Sequence, residues 1–456
     1  MLWYNFIIME KFDKFKNLMK LGSTSLVVLV VSLIYYIVWV IFYNPFMVYS
    51  PLYNNGLILL VLVYGFIYVL FCNVYNGFKI GHLRITDIIY SQVTAIALVN
   101  MITYVEVSLM DRRLLDPLMF VVMTIVQFLI IVSWAFISNR LYFIVYKPLN
   151  ILLLYENDYP DSFVKKVNLR NDKFDIRNCK TVHKFDVDVK KMILQHETIM
   201  LHDITSNLRN EILKFCYENQ IPAYITPKIS DIIVGSSEWI HLFDTPLFLS
   251  KNTNISFEQS LLKRFLDLSL SSILLLVSSP IFLIISIIIK LSDNGCVFYH
   301  QERLTIHNRI FKILKFRSMI MNAESKNSPQ LARKNDDRIT PIGRFIRKTR
   351  IDELPQLINI FKGDMSFVGP RPERPELVDK YLIDFPEFAY RTRVKAGLTG
   401  YAQIMGKYNT SIYDKLKLDL MYIENFSLLL DLKILLATIK YVITPANEES
   451  SEGFDE

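Results

Sequence analysis

"FLDLSLSSILLLVSSPIFLIISIIIKLSD", residues 265–293, is apolar and long enough to cross a bilayer, and its course decides on which side everything after it lies. Hydropathy alone favours a crossing. Two features favour a turn back. Pro280, behind Ser278 and Ser279, sits at the centre of the run. There it deletes a backbone hydrogen bond and bends a helix, and the serine hydroxyls can satisfy the carbonyls it frees. Cations also flank both ends, Lys263 and Arg264 before and Lys290 after. The stretch predicts a re-entrant helix over 265–291, broken at Ser279 and Pro280, that dips into one leaflet of the lipid bilayer and returns to the same face.

Upstream lie four further apolar runs, at 22–43, 56–76, 85–105 and 117–138, each near the roughly 20 residues a spanning helix needs. They predict four transmembrane helices within residues 1–145. The third run is the most polar, carrying Gln92 and Asn100. Lys11, Lys14, Lys16 and Lys20 precede the first run, and Lys79 and Arg84 follow the second, whereas the loop after the first holds no Lys or Arg. That bias places the N-terminus in the cytoplasm, with Arg112 and Arg113 opposing it. The first run is long, lacks a small-residue cleavage site and is followed by other runs, so a signal peptide is not expected there. An apolar share of 52% over 456 residues agrees with a chain partly in lipid, built of several domains. Cys72, Cys179, Cys216 and Cys296 are scattered without CxxC or zinc-type spacing, which implies no disulfide framework and suits a reducing compartment or burial.

Residues 146–250 have lower apolar density. Strand-like "NILLLYE" (150–156), "TIMLHDI" (198–204) and "PAYIT" (222–226) alternate with helical "NLRNEILKFCYENQ" (207–220), a βαβ rhythm. The loop after the first strand, "NDYPDSF", holds no glycine, so a dinucleotide cradle is not expected. The domain is predicted to be a degenerate Rossmann-like α/β fold.

The net charge of +7 is uneven, because residues 303–350 hold 13 Lys/Arg against three Asp/Glu. Apolar residues interrupt this block and a membrane module precedes it, so anionic lipid or a phosphorylated substrate is a better partner than nucleic acid. "FKILKFRSM" (311–319) alternates like a strand, with Lys315 and Arg317 on one face and Lys312 on the other. "IDELPQLINIFKG" (351–363) predicts a short helix capped by Asp352, with Pro355 in its first turn and Gly363 at its end. An aspartate there, flanked by Arg347 and Arg350, is expected to stay ionised, as a carboxylate nucleophile must. Asp364 is read as a turn residue, His300 and His307 as structural, and Lys326, Arg333, Lys334 and Lys348 as solvated cations. "YIENFSLLLDLKILLATIKYVI" (422–443), interrupted by Asp431 and Lys433, suits an interfacial helix. Residues 446–456 are read as a disordered acidic tail.

In order along residues 263–442, "KFRSM", "DELPQL", "GDMSFVGPRPE" and "GLTGYAQ" resemble the bacterial sugar transferases, the monotopic polyprenyl-phosphate phosphoglycosyl transferases. With the four runs and the α/β domain ahead of them, the chain is similar to the large branch that initiates exopolysaccharide or capsule assembly. The resemblance implies an α/β membrane protein with a mixed, mainly helical catalytic domain over 251–445. It implies that Asp352 attacks the sugar-proximal phosphate of a UDP-sugar, releasing UMP, and that undecaprenyl phosphate then takes the phosphosugar. It also implies that Glu353, beside Asp352, helps hold Mg²⁺, and that Lys315, Arg317, Arg347, Arg371 and Lys395 hold phosphates and nucleotide. The implied setting is the cytoplasmic face of a bacterial inner membrane, with a homo-oligomer left open. Two departures stand out: Thr305 and Asn308 occupy a turn where the family usually has glycines, and Ala396 stands where it commonly has proline before "GLTG". Two rival classes are a membrane-anchored regulatory protein with a vestigial catalytic domain, and a glycosyltransferase that releases UDP.

Overall fold

The computed structural model describes residues 2–49, 52–53, 55–250, 255–293, 295–321, 336–406 and 410–443, the side chains of 2–16, 293, 442 and 443 apart. The tail at 446–456, Lys326, Arg333 and Lys334, and the side chains of Lys11, Lys14 and Lys16 lie outside the described residues. The chain divides into two compact units, Met1–Thr226 and Pro227–Glu456. Five of its described helices are long and apolar enough to cross a membrane.

In the first unit, α1 (Leu2–Val38) continues as a π-helical turn, Trp39–Tyr43, and is followed by α2 (Asn55–Val74), α3 (Ile85–Met110) and α4 (Leu118–Val145). Helix α1 packs on α2 and α4, and α3 packs on the same two. The polar residues of the third run point inward. Tyr64 Oη donates to Asn100 Oδ1 (2.8 Å), and Asn100 Nδ2 donates to Gln127 Oε1 (2.9 Å) and Thr124 Oγ1 (2.8 Å). Tyr68 Oη donates to Gln92 Oε1. Among apolar helices such bonds join neighbours, so polar residues strengthen the packing here. Arg113, which opposes the charge bias, pairs with buried Asp111 at 2.6 Å, so its charge is cancelled locally.

The α/β part of the first unit follows as β1 (Leu149–Tyr155), α5 (Asp161–Asn168), β2 (Phe174–Thr181), α6 (Val187–Leu194), β3 (Thr198–His202), α7 (Ser206–Glu218) and β4 (Ala223–Ile225). All four strands are parallel, in the order β2-β1-β3-β4. Ile151 to Leu154 are fully buried without alternation, as expected of a strand covered on both faces. Strand β2 carries no such apolar run and was not legible.

The second unit begins with α8 (Ile229–Gly235) and the hairpin β5 (Glu238–Leu242)–β6 (Thr245–Leu249). Ile229 and Ile232 join this unit's core, so the α/β domain ends near Thr226 rather than at 250. Helix α9 (Phe257–Asp293) stays helical through Pro280 instead of breaking there. Ser279 Oγ donates to the Leu276 carbonyl at 2.8 Å, the acceptor that the missing proline N–H leaves without its donor. Both arms of α9 dock on the same globular module. Lys263 Nζ donates to the Val368 carbonyl (3.0 Å) and pairs with Asp431, and Ser366 Oγ and Phe367 N donate to Asp267 Oδ1. Beyond the proline, Phe282 packs on Phe316 with ring centroids 5.2 Å apart, and Ile285 and Ile289 share a core with Phe316 and Ile346.

The module continues as β7 (Phe298–Leu304), β8 (Ile310–Phe316), α10 (Pro341–Lys348), α11 (Gln356–Lys362), β9 (Ser366–Val368), α12 (Pro375–Asp384), β10 (Gly397–Thr399), α13 (Tyr401–Met405), α14 (Ile412–Glu424) and α15 (Leu428–Ile443). Strands β7 and β8 are antiparallel, and β9 and β10 are parallel. The predicted helix over 422–443 is two, parted at Asn425–Ser427, and Asp431 faces inward to Lys263 rather than interrupting an apolar face. A Cβ on Gly397 would lie 2.2 Å from Gly369 N, so the β9–β10 approach requires glycine. Buried Asn359 joins α11 to the hairpin, accepting from Leu314 N (2.9 Å) and donating to the Lys312 carbonyl (2.9 Å). Replacing it with Ala is expected to cost about 2–4 kcal/mol by stranding two backbone groups, seen as a lower midpoint in detergent thermal unfolding.

Candidate active site

Helix α10 ends at Lys348, and the chain then turns through Arg350, whose φ of 55° is left-handed. A 3₁₀ turn, Ile351–Glu353, comes next, so Asp352 lies in that turn and does not cap α11. Pro355 cannot donate, and the backbone bonds here span three residues: Glu353 N to the Arg350 carbonyl and Leu354 N to that of Ile351. With only seven residues, α11 adds little dipole. The anion environment comes from side chains. Gly363, with φ 93°, ends α11 as predicted.

Glu353 Oε1 receives Lys315 Nζ from β8 at 3.4 Å and an Arg371 guanidinium nitrogen at 3.3 Å. Burial alone would raise the Glu353 carboxyl, but Arg371, Lys315 and Arg350 outweigh it and hold the group at about 2. Burial lowers Lys315, and the Glu353 charge raises Arg371. Asp352 differs from its neighbour. No described cation comes within ion-pair distance of it, and burial followed by the Glu353 charge raises its carboxyl, with Lys315 and Arg347 pulling the other way. The flanking cations therefore do not hold Asp352 low, as the sequence suggested. Of the two, Arg347 acts on Asp352, and Arg350 acts on Glu353 together with Arg371 and Lys315.

Four of the predicted cations and anions, Lys315, Arg371, Glu353 and Asp352, thus converge, with Arg347 acting on Asp352 from α10. Two predicted cations make other contacts. Arg317 N donates to the Val297 carbonyl at 2.9 Å, one step past the last β7–β8 pair, and its guanidinium lies against Gly295, where a Cβ would meet it at 2.0 Å. Lys395 lies in the field of Arg264, Asp267, Arg309 and Asp364, towards the other end of α11; burial first, then Arg264, lowers it.

Two arginines escaped the sequence reading. Arg303 donates to the Pro372 carbonyl (3.1 Å), and Arg391 donates to the Arg371 carbonyl (3.1 Å) while pairing with buried Asp419 at 2.7 Å. They hold the "GPRPE" loop that carries Arg371, and both come within 4.0 Å of Glu373. Nothing local in the sequence marks them, because the carbonyls they hold lie 69 and 20 positions away. His307 and Asn308 adopt φ of 55° and 57° and close the β7–β8 turn without glycine. Thr305 Oγ1 donates to the Asp364 carbonyl (2.9 Å) and accepts from Ala396 N (3.2 Å), so the two departures from the motif pattern meet in one hydrogen bond. A proline at 396 would have no such donor.

A model of the family described as "Bacterial sugar transferase" matches residues 258–445. An uncharacterized sugar transferase, EpsL of Bacillus subtilis, is 42% identical over 184 residues, 40% of this chain and 88% of that protein. The chain belongs to the bacterial sugar transferase family. Among further relatives in that family, a UDP-N-acetylgalactosamine-undecaprenyl-phosphate N-acetylgalactosaminephosphotransferase of Aeromonas hydrophila is 38% identical over 232 residues, 50% of this chain and 54% of its own. An undecaprenyl-phosphate glucose phosphotransferase of Komagataeibacter xylinus is 40% identical over 193 residues, 41% of this chain and 36% of its own. The chain thus spans about half or less of these two relatives.

Among the described residues no cluster of three or more His, Cys, Asp or Glu could hold a metal unaided. Glu353 Oε1 is taken by Lys315 and Arg371, so its second oxygen and the Asp352 carboxylate are the donors that a Mg²⁺ shell completed by water and phosphate oxygens would use. The Asp352 carboxyl titration, followed by isotope-edited infrared spectroscopy, is expected above the ordinary aspartate range. In Lys315→Met it should move higher still, because a cation that favours the carboxylate is gone.

Proposed function

We propose that the second unit transfers a sugar 1-phosphate from a UDP-sugar to undecaprenyl phosphate, with Asp352 as the covalent carrier. The observation that carries this is the division of labour between adjacent carboxylates: Glu353 is committed to Lys315 and Arg371, while Asp352 faces no such partner. A committed carboxylate organises charge. An uncommitted one can attack.

An Asp352 oxygen forms a bond to the sugar-proximal phosphorus as the bond from that phosphorus to the bridging oxygen breaks, and UMP leaves with the electron pair. An oxygen of undecaprenyl phosphate then attacks the same phosphorus. The Asp352–phosphorus bond breaks, the carboxylate is restored, and the product is a lipid-linked diphosphosugar. Lys315, Arg347 and Arg371 orient the diphosphate and stabilise the charge that develops on it, where preorganised cations matter most. Mg²⁺, held by Asp352 and Glu353, would supply further neutralisation of the diphosphate. The Aeromonas and Komagataeibacter relatives, named as phosphotransferases of undecaprenyl phosphate, support this substrate class.

The same proposal places the module on the cytoplasmic face of a bacterial inner membrane, with α9 entering and leaving through one leaflet. Its support is that residues on both sides of Pro280 pack on one module, whereas a straight crossing would put about 30 Å of hydrocarbon between the ends of the run. With Cys72, Cys179 and Cys216 replaced by serine, native Cys296 and a Ser256→Cys introduced ahead of α9 should react with a membrane-impermeant maleimide from the same side. Reaction from opposite sides would overturn the re-entrant course.

Purified enzyme with undecaprenyl phosphate, Mg²⁺ and a UDP-sugar panel should release UMP, and Asp352→Asn should lose about 10³-fold or more of that rate. UDP as the product, or an Asn variant that still turns over, rejects the covalent phosphosugar route.

A further inference from the structure

Lys395, which the motif pattern assigned to substrate phosphate, stands at the Gly363 end of α11. From Asp352 that is on the order of 15 Å at helical rise. Thr305 brings the chain here, because its hydroxyl, bonded to both the Asp364 carbonyl and Ala396 N, holds the backbone next to Lys395 against that of Asp364. Arg264 arrives from α9, donating to the Ile360 and Phe361 carbonyls at 2.7 Å each. Arg309 arrives from the end of the β7–β8 turn and pairs with Asp364 Oδ1 at 3.0 Å. The neighbouring acids are thus already engaged, Asp364 by Arg309 and Asp267 by Ser366 Oγ and Phe367 N. No hydrogen bond or ion pair ties the half-buried Lys395 ammonium to a described residue. A partly desolvated cation beside two guanidinium groups is costly unless an anion joins it.

The margin of this cluster is apolar. Phe361 is 46% exposed, and Phe265 and Leu266, directly after Arg264, are 66% and 52% exposed. Arginine at the edge of an apolar run sits at headgroup depth when the run enters a bilayer. A phosphate with acyl chains matches both the cations and the exposed apolar rim, whereas free phosphate or a nucleotide would leave the rim in water.

We propose that Lys395, Arg264 and Arg309 form a second anion site, separate from the two carboxylates, that holds the phosphate headgroup of an anionic membrane phospholipid that does not react. The site rests on the entry of α9 into the bilayer at Arg264 proposed above. It anchors the Gly363 end of α11 to the membrane surface while the Asp352 end carries the chemistry.

The test uses the full-length protein in nanodiscs of phosphatidylcholine alone or mixed with phosphatidylglycerol. A brief pulse of an uncharged amine-acylating reagent is followed by peptide mass spectrometry. The ratio of Lys395 to exposed Lys362 acylation cancels the effect of surface potential on both amines. Phosphatidylglycerol is expected to lower that ratio about tenfold, the protection of a site about 90% occupied, and Arg309→Gln should weaken the protection. Three outcomes overturn the proposal: no protection in any disc, equal protection by millimolar inorganic phosphate in phosphatidylcholine discs, or protection by undecaprenyl phosphate or UDP-sugar in preference to phosphatidylglycerol. UMP release from the same discs reports the catalytic proposal separately, so absent turnover with intact protection rejects that proposal and keeps this site.

Discussion

The buried contact between Lys263 and Asp431 is the constraint on which the second unit turns. Tyr422 Oη donates to Asp431 Oδ1 at 2.8 Å and lies 3.2 Å from the Val368 carbonyl, which accepts from Lys263. One cluster therefore ties the first arm of α9, the helices α14 and α15, and strand β9 together. Removing one partner of such a buried pair leaves an uncompensated charge, which is why the cluster fixes geometry even where its net stabilisation is small. From Val368 the chain passes directly into the loop that carries Arg371, so the placement of the guanidinium that pairs with Glu353 is inherited from a contact at the foot of α9.

At the carboxylates, two neighbouring acids are separated in character by their surroundings rather than by their chemistry. Glu353 absorbs the field of Arg371 and Lys315, and its own negative charge then helps to raise Asp352. Adjacent titrating groups exchange protons as a pair, so a change at Lys315 or Arg371 reaches Asp352 through Glu353 as well as directly. Arg303 and Arg391 stand one layer further out and act on the loop backbone. A planar guanidinium that bonds carbonyls holds a loop in a way that lysine cannot.

Much of this was legible in the residues. The apolar runs, the parallel βαβ strands with continuous burial, and the "KFRSM", "DELPQL" and "GPRPE" segments each carry a local signal. Ser279 beside Pro280 foretold that a hydroxyl would take the freed carbonyl. What stayed hidden depends on contacts distant in sequence. Strand β2, "FDIRNCKT", is mostly exposed and lacks an apolar run. Asp431 looked like an interruption because its partner lies 168 positions earlier. Order along the chain says nothing about which end of α11 a neighbouring loop meets, so the place of Lys395 beside the Asp364 segment is not readable from the motif.

The Thr305–Ala396 hydrogen bond makes two distant positions answer to one interaction. An apolar residue at 305 strands the Ala396 N–H in a buried setting, a loss on the order of 1–3 kcal/mol, whereas a proline at 396 has no N–H to strand. The cost of a change at 305 therefore depends on what stands at 396, and the two substitutions are not additive.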